Sequence, residues 1–332
     1  MLFVPVWATG FEIGTTPPGL VLGTGWSIYG AGAKTGTMCL RFNRNITTSS
    51  YIAFSGGTND MYMSCWVNTA GVWGGAGSCY VRFYIDSGHY CEVRLSSTGY
   101  WPAYVNGAYV GGQTVQTTAG YTHIQLHLKV ADSGGIFQTR INGLLDCDYT
   151  GDTKPGATDI VSRVYFLGSS DSTNFYRILY FDDVCIGTVA WPGDLRFDPL
   201  VPNGDDSVQW TGSDADQVDN YQLIDERGPS DADYVVSDTT GQKDKYALGD
   251  WVSTNKIPVY VQLWVRAKGE GLSSHQLKII LDDGIEDEGT PVDLAGGVFG
   301  YHVRQIYVPP SGGGWSDAVI DGLKVAIESV IT

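Results

Sequence analysis

The stretch Thr122-His123-Ile124-Gln125-Leu126-His127-Leu128-Lys129-Val130 decides the fold class. Its odd positions from His123 to Lys129 are polar and its even positions apolar, and in an extended chain successive side chains point to opposite sides of a sheet. The pattern is that of a half-buried strand with one dry and one wet face, which puts His123 and His127 on the solvent side. Their i, i+4 spacing would suit a zinc pair on a helix. On a strand four residues span about 13 Å, too far for one small ion.

Working outward, the same two-residue period recurs in YIAF, MYMSCWV, CYVRFYI, YCEVRL and RVYFLG, between turns rich in Gly, Asn, Asp and Ser. Asn106-Gly107 and Asn142-Gly143 are strong hairpin signals. The expected fold is all-β, an antiparallel two-sheet sandwich. Composition agrees: of 332 residues 43% are hydrophobic, 17% charged and 12% aromatic, with 44 Gly, which excludes a disordered chain and a coiled coil. At roughly 150 residues per domain the length favours two domains.

Charge divides the chain. Residues 1–190 carry 10 basic and 12 acidic side chains, residues 191–332 carry 10 and 24, and the whole has a formal charge of −16. The acidity concentrates between Asp198 and Asp250, with 13 carboxylates against Arg227, Lys243 and Lys245, and is expected to be solvated, to bind cations or to face a basic partner. AWPGDLRFDPLVPNGDD holds three prolines and two glycines and reads as a stiff linker. The expected organisation is a sandwich over 1–190, a linker over 191–197 and an acidic β module over 198–332. In that module Val319, Leu323, Ala326, Ile327 and Val330 recur at three- and four-residue steps, predicting a short C-terminal helix within Ser316 to Val330, capped by Ser316.

A field of that sign disfavours nucleic acid and anionic membranes. No apolar run approaches membrane-span length, and MLFVPVWATGFEIG lacks a basic signal-peptide start, so the expectation is a soluble, unprocessed chain. Cys39, Cys65, Cys79, Cys91, Cys147 and Cys185 contain no CxxC and sit mostly in strand-like runs. They are expected to be reduced core thiols, with disulfides as the alternative.

Residues 8–190 resemble the concanavalin A-like, laminin-G-like jelly rolls: FEIG and FDDVCIG frame a ladder holding YMSCWVNTAG, a T-H-I-Q-L strand and an R-I-N-G hairpin, in that order. The resemblance implies an N-terminal jelly roll and a structural calcium to which Glu12 and Asp182 contribute. Residues 195–330 look like a module that follows such jelly rolls in tailed-bacteriophage virion proteins. The matching segments are P-N-G with Q-W-T, I-D-E with P-x-D-x-D-Y-V, T-T-G-Q-K-D-K-Y and G-W-S-D-A-V-I-D-G-L. That likeness implies a virion protein assembled in the host cytoplasm (capsid decoration, head fibre or tail) that contacts other virion proteins and oligomerises, a trimer being favoured.

Glycoside hydrolysis needs two carboxyls flanking the scissile bond. The first half has only Glu12 and Glu92, in no such spacing, and the adjacent Asp182 and Asp183 should point to opposite faces of a strand. No G-x-S-x-G occurs, so no triad is proposed. Asp214 to Asp219 departs from an EF-hand at its fifth and sixth positions, and the five carboxylates of residues 282–288 read as a solvated turn, with a cation or basic partner as the alternative. The sequon at Asn45 is expected by chance. Carbohydrate binding, the resemblance's commonest non-catalytic role, needs aromatic platforms, for which Trp73, Tyr100, Trp101 and Tyr104 in Gly-rich turns are candidates, while Trp66 reads as core. The expectation is a non-enzymatic structural and adhesion protein of a phage particle touching host glycans. A stand-alone carbohydrate-binding protein and a degenerate glycosidase are the alternatives.

Overall fold

In Cys79–Asp86 the apolar Cys79, Val81, Phe83 and Ile85 are buried and the intervening Tyr80, Arg82, Tyr84 and Asp86 are half-buried, the two-residue period of a sheet with one core face. Repeated along the chain, that pattern gives an antiparallel, nearly all-β protein. The computed structural model describes residues 5–12, 14–44, 47–69, 79–117, 120–154, 156–168, 177–228, 230–251, 256–271 and 274–332. It divides into two units, Met1–Asp198 and Pro199–Thr332.

The first unit's described strands are β1 (Pro5–Thr9), β2 (Leu20–Val21), β3 (Trp26–Tyr29), β4 (Cys39–Arg44), β5 (Thr48–Thr58), β6 (Asp60–Asn68), β7 (Cys79–Asp86), β8 (His89–Arg94), β9 (Ala103–Val105), β10 (Ala108–Gly111), β11 (Tyr121–Lys129), β12 (Gly135–Ile141), β13 (Leu144–Gly151), β14 (Val161–Gly168) and β15 (Arg177–Gly187). One sheet runs β13-β12-β11-β6-β15-β4-β3 with β1 added on β15. The other runs β10-β9-β8-β7-β14-β5-β2. Between them lies one core, where Trp26, Phe42, Phe166 and Phe181 pack with ring centroids 5.1–5.7 Å apart. Both Asn-Gly pairs make hairpins: Asn106 and Asn142 have φ of 50° and 51°, and Gly107 and Gly143 follow at 82°, the double positive φ of a type I′ turn. All six cysteines are buried and unpaired. Burial pushes Cys39 up to about 12 and Cys147 to about 11, so these thiols act as small hydrophobes.

Residues 191–197 are not a free linker. They lie on the outer face of the first sheet and belong to the first unit. Trp191 meets Tyr62 and His127 edge-on at 5.6 and 5.9 Å, with the Arg140 guanidinium 4.4 Å from its ring. Ser64 Oγ donates to the Gly193 carbonyl, and Trp66 Nε1 donates to Asp194 at 3.1 Å. The same strap corrects the expectation of a wet face on β11. His123 and His127 are only 4% and 6% exposed, because the strap lies over them while Ser64 engages His123 and Asp60 and Gln138 of the neighbouring strands engage His127. Trp66 is correspondingly not core: it faces outward, half-buried, stacked on His123 at 4.8 Å.

The second unit contains β16 (Pro202–Ser207), β17 (Thr211–Gly212), β18 (Val235–Val236), β19 (Lys243–Leu248), β20 (Val261–Ala267), β21 (His275–Asp282), β22 (Glu286–Asp287), β23 (Val292–Asp293), β24 (Gly300–Ile306), α1 (Asp317–Asp321) and β25 (Lys324–Ile331). Its main sheet runs β16-β19-β25-β21-β22, with β23 also on β21, and β20 pairs with β24. The C-terminal helix exists but has only five residues. Ser316 caps it, accepting from Val319 N, and past Gly322 the β-branched run of Val325, Ile327, Val330 and Ile331 forms the central strand between β19 and β21. Buried Asp244 is the unit's polar hub. It accepts from the Gln209 and Trp210 amides, Asn220 Nδ2 and the Tyr246 hydroxyl at 2.6–2.8 Å.

The acidic turn of residues 282–288 finds its bases within its own unit. Asp282 pairs with Lys245 at 2.8 Å, Glu286 with Lys243 and Lys245, Asp287 with Arg304 and Glu288 with Lys278. Lys243 and Lys245 hold Glu286 below the usual carboxylate range.

Candidate functional site

The outward side chains of the seven-stranded sheet line up across it. Strand register puts Val21 beside Tyr51, Tyr51 beside Tyr165, Tyr165 beside Arg82, Arg82 beside Glu92, Glu92 beside Tyr104 and Tyr104 beside Tyr109. A flanking row brings Arg163, Tyr84 and Tyr90 together, and Tyr80 sits beside Arg94. Each residue follows from the alternation of its strand, because Cys91, Val93, Val105, Val164 and Phe166 take the core positions between them.

Glu92 organises this face. Its carboxylate is 0% exposed, with Arg82 on one oxygen (Nε 2.7 Å, NH2 2.6 Å) and Arg94 on the other (Nε 2.5 Å, with NH2 alongside). The arginines remain partly open, at 23% and 29% exposed. Arg82 lies 3.8 Å over the Tyr90 ring and Arg94 4.1 Å over Tyr104. Arg163 lies 4.9 Å from the Tyr51 ring and donates to the Tyr165 hydroxyl at 2.9 Å, which raises its already high pKa. Burial pulls the Arg94 pKa down, but the Glu92 charge and hydrogen bond outweigh it and leave it raised. Tyr109 ends the row, 55% exposed and edge-on to Tyr104 at 5.9 Å. The result is a lattice of half-exposed rings and guanidiniums whose rotamers are fixed by one buried carboxylate and by cation–π stacking.

Of the expected platform residues only Tyr104 belongs to this lattice. Trp101 is 0% exposed, donates from Nε1 to Thr117 Oγ1 and packs in the core, so it offers no ring to a ligand. Its turn folds back into the sandwich, where a large indole is worth more buried than exposed. Tyr100 is half-buried in the same turn, its amide bonded to Ser96 Oγ. Trp73 lies outside the described residues. The other tyrosines of the lattice and its arginines are not among the residues singled out from the sequence, although their signal is in CYVRFYI and YCEVRL, whose polar-side positions are mostly aromatic or basic.

Glu12 and Asp182 turn to backbone N–H groups. Glu12 accepts from the Thr37 and Met38 amides at 2.9–3.0 Å and from the Thr37 hydroxyl. Asp182 Oδ2 accepts from the Lys34 and Thr35 amides at 2.7 and 3.1 Å. These donors aim positive charge at the carboxylates and pin residues 34–38 to the sandwich; Gly36, at φ 60°, is the residue against which Glu12 lies, where a Cβ would clash. Among the described residues no group of three His, Cys, Asp or Glu could hold a metal.

Asp182 and Asp183 do not point to opposite faces. A bulge between Asp182 and Cys185, with Asp183 at φ 45°, turns both carboxyls to Thr35, whose hydroxyl donates to Asp183. Burial pushes both above the ordinary carboxylate range, and for Asp182 the neighbouring Asp183 charge adds to it.

Under the strap, Ser64 Oγ stands 2.6 Å from His123 Nε2. The Gly193 carbonyl lies 3.1 Å from the same hydroxyl, so serine, histidine and carbonyl form one closed cluster. Ser64 and His123 are both buried.

No family model matches the chain, and no curated protein matches it. Solved structures similar to it include an alginate lyase (16% identity, 57% of this chain and 96% of that one, TM-score 0.40). The carbohydrate recognition domain of Emp47p matches at 8% identity over 53% and 91%, TM-score 0.40. A carbohydrate esterase of Shiga toxin-encoding bacteriophage phi24B matches at 8% identity over 57% and 100%, TM-score 0.40.

Proposed function

We propose that this chain is a non-catalytic adhesion and structural protein whose jelly-roll unit binds glycan on the outer face of its seven-stranded sheet. The observation that carries the proposal is the cross-strand row from Tyr51 to Tyr109, where two pairs of tyrosines flank Arg82 and the buried Glu92, with Arg94 and Arg163 beside the row on the same rigid sheet. Aromatic rings give a pyranose an apolar face to stack on, and charged donors orient its hydroxyls, the combination a sugar site requires. Rigid strands keep the entropy cost of binding low.

Two features favour binding without turnover. The carboxylate central to the row, Glu92, is 0% exposed and enclosed by Arg82 and Arg94, out of reach of a substrate. The Ser64–His123 pair is buried beneath residues 191–197, away from a substrate. The setting we propose is the particle of a tailed phage, carried as a symmetric oligomer, a trimer being favoured. This rests on the resemblance of residues 195–330 alone.

The test is a glycan panel, neutral and acidic, read by calorimetry on the full chain. The proposal expects binding that is lost in Tyr104→Ala/Tyr109→Ala and no released product. Turnover, or binding indifferent to that double substitution, overturns it. Mass spectrometry of purified particles tests the virion setting, which fails if the chain is absent from them.

A further inference from the structure

We infer that the glycan held on this face carries carboxylates, as a chain of uronic or sialic acids laid across the strands. The inference rests on the glycan reading above and names its chemical class. The chain has a formal charge of −16, yet along this face three guanidiniums, Arg82, Arg94 and Arg163, stand against Glu92. Asp86, at the end of the β7–β8 hairpin, is engaged by His89 Nδ1 at 2.5 Å. A basic lattice on an acidic protein is a local, specific arrangement and cannot be a consequence of composition.

The chemistry of the lattice selects the ligand charge. Glu92 neutralises one of the two guanidiniums it holds and leaves a surplus positive charge fixed at the surface. Nε and NH2 of each arginine are turned to Glu92, which leaves the opposite edge of each guanidinium facing away from it. A planar guanidinium whose orientation is already set by a carboxylate beneath and a tyrosine ring beside it loses little entropy on accepting a second carboxylate. From Tyr51 on β5 to Tyr109 on β10 the row crosses six strands, about 24 Å at ~4.8 Å per strand, and a pyranose ring spans about one such spacing. An oligosaccharide of several rings therefore meets a tyrosine ring or a guanidinium at five of the six strands, and at β8 it passes over the buried Glu92 with Arg94 beside it.

Calorimetry on the full chain with oligogalacturonate, hyaluronan and oligosialate hexamers, each beside its carboxyl methyl ester, tests the inference. At least one acid form should bind about tenfold or more tightly than its ester, as loss of a charge-assisted contact implies. Its affinity should fall as salt rises from about 50 to about 300 mM. Arg163→Gln removes a guanidinium hydrogen-bonded to Tyr165 without stranding a buried charge, and should cost the acid form about tenfold and the ester, which loses no charge-assisted contact, distinctly less. Equal binding of acid and ester overturns the inference and leaves the glycan reading standing. Binding of neither overturns the inference, and overturns the glycan reading as well if the neutral glycans of the panel also fail to bind. Capture of poly-aspartate with no sugar bound reassigns the face to an acidic protein partner and also overturns it.

Discussion

The two outer faces of the jelly-roll sandwich are built from the same alternation and meet opposite fates. On the eight-stranded sheet the outward Ser64, His123 and His127 are 1%, 4% and 6% exposed, closed over by residues 191–197. On the seven-stranded sheet the outward Arg82 and Arg94 keep 23% and 29% exposure and Tyr109 keeps 55%. Both faces stack aromatics against polar or charged groups: Tyr62 on His127 at 4.0 Å in the first, Arg82 on Tyr90 at 3.8 Å in the second. An aromatic, polar outer face thus serves either to seat a distant piece of the same chain or to meet something else, and exposure tells the two apart.

The largest effect that separates the faces is on stability. Trp191→Ala removes the ring between Tyr62, His127 and Arg140, and should lower unfolding free energy by about 2 kcal/mol, short of the ~3–5 of a fully buried Trp, as read by the urea midpoint. Glycan binding should survive it. A shift as small as that of a solvent-exposed residue would mean that the strap is only resting on the sheet.

Titration separates the faces next. Burial lowers the His123 pKa, so the unfolded chain takes up protons first as pH falls, and stability present above about 6.5 is lost below it, down to the depressed folded value. Wild type minus His123→Gln, measured from pH 7.5 to 5.0, isolates that loss. A difference that does not change with pH contradicts the burial. The Asp182–Asp183 pair acts in the opposite sense. With folded pKa values raised, it binds protons more tightly in the native state and costs stability as pH rises from about 4 towards neutrality. Asp183→Asn, tolerated at positive φ, should flatten that slope. An unchanged slope would assign the pH dependence to other groups.

The smallest expected stability effect is on the open face. Tyr109→Ala should stay within about 0.5 kcal/mol of wild type in the same denaturation assay. A loss like that of Trp191→Ala would show that the ring is structural and weaken the case for a ligand there.

The alternation in THIQLHLKV and CYVRFYI was enough to place strands and to sort core from outer positions, and both Asn-Gly turns were legible because their chemistry is local. What covers an outer face was not. Trp191 is far in sequence from His127, and a proline-rich run looks the same whether it spans solvent or lies on a sheet. The row from Tyr51 to Tyr109 is invisible in any one segment because six strands each contribute one residue to it, and register alone assembles it. Trp101 misled because a Gly-rich turn suggests exposure while the turn itself folds inward. At the C-terminus a three- and four-residue apolar recurrence coincided with β-branched residues, and pairing with β19 and β21 decided for strand. A single bulged residue overturned the two-face reading of Asp182 and Asp183.

The central claim is that the ligand face is the outer surface of the seven-stranded sheet. Hydrogen exchange of the full chain, with and without a saturating glycan from the panel, tests it most directly. The account expects protection confined to β5, β7 through β10 and β14, carrying Tyr51, Arg82, Glu92, Tyr104, Tyr109 and Tyr165, with β11 and the strap of residues 191–197 unchanged. Protection centred on β11 and the strap, with the tyrosine row unaffected, would contradict it.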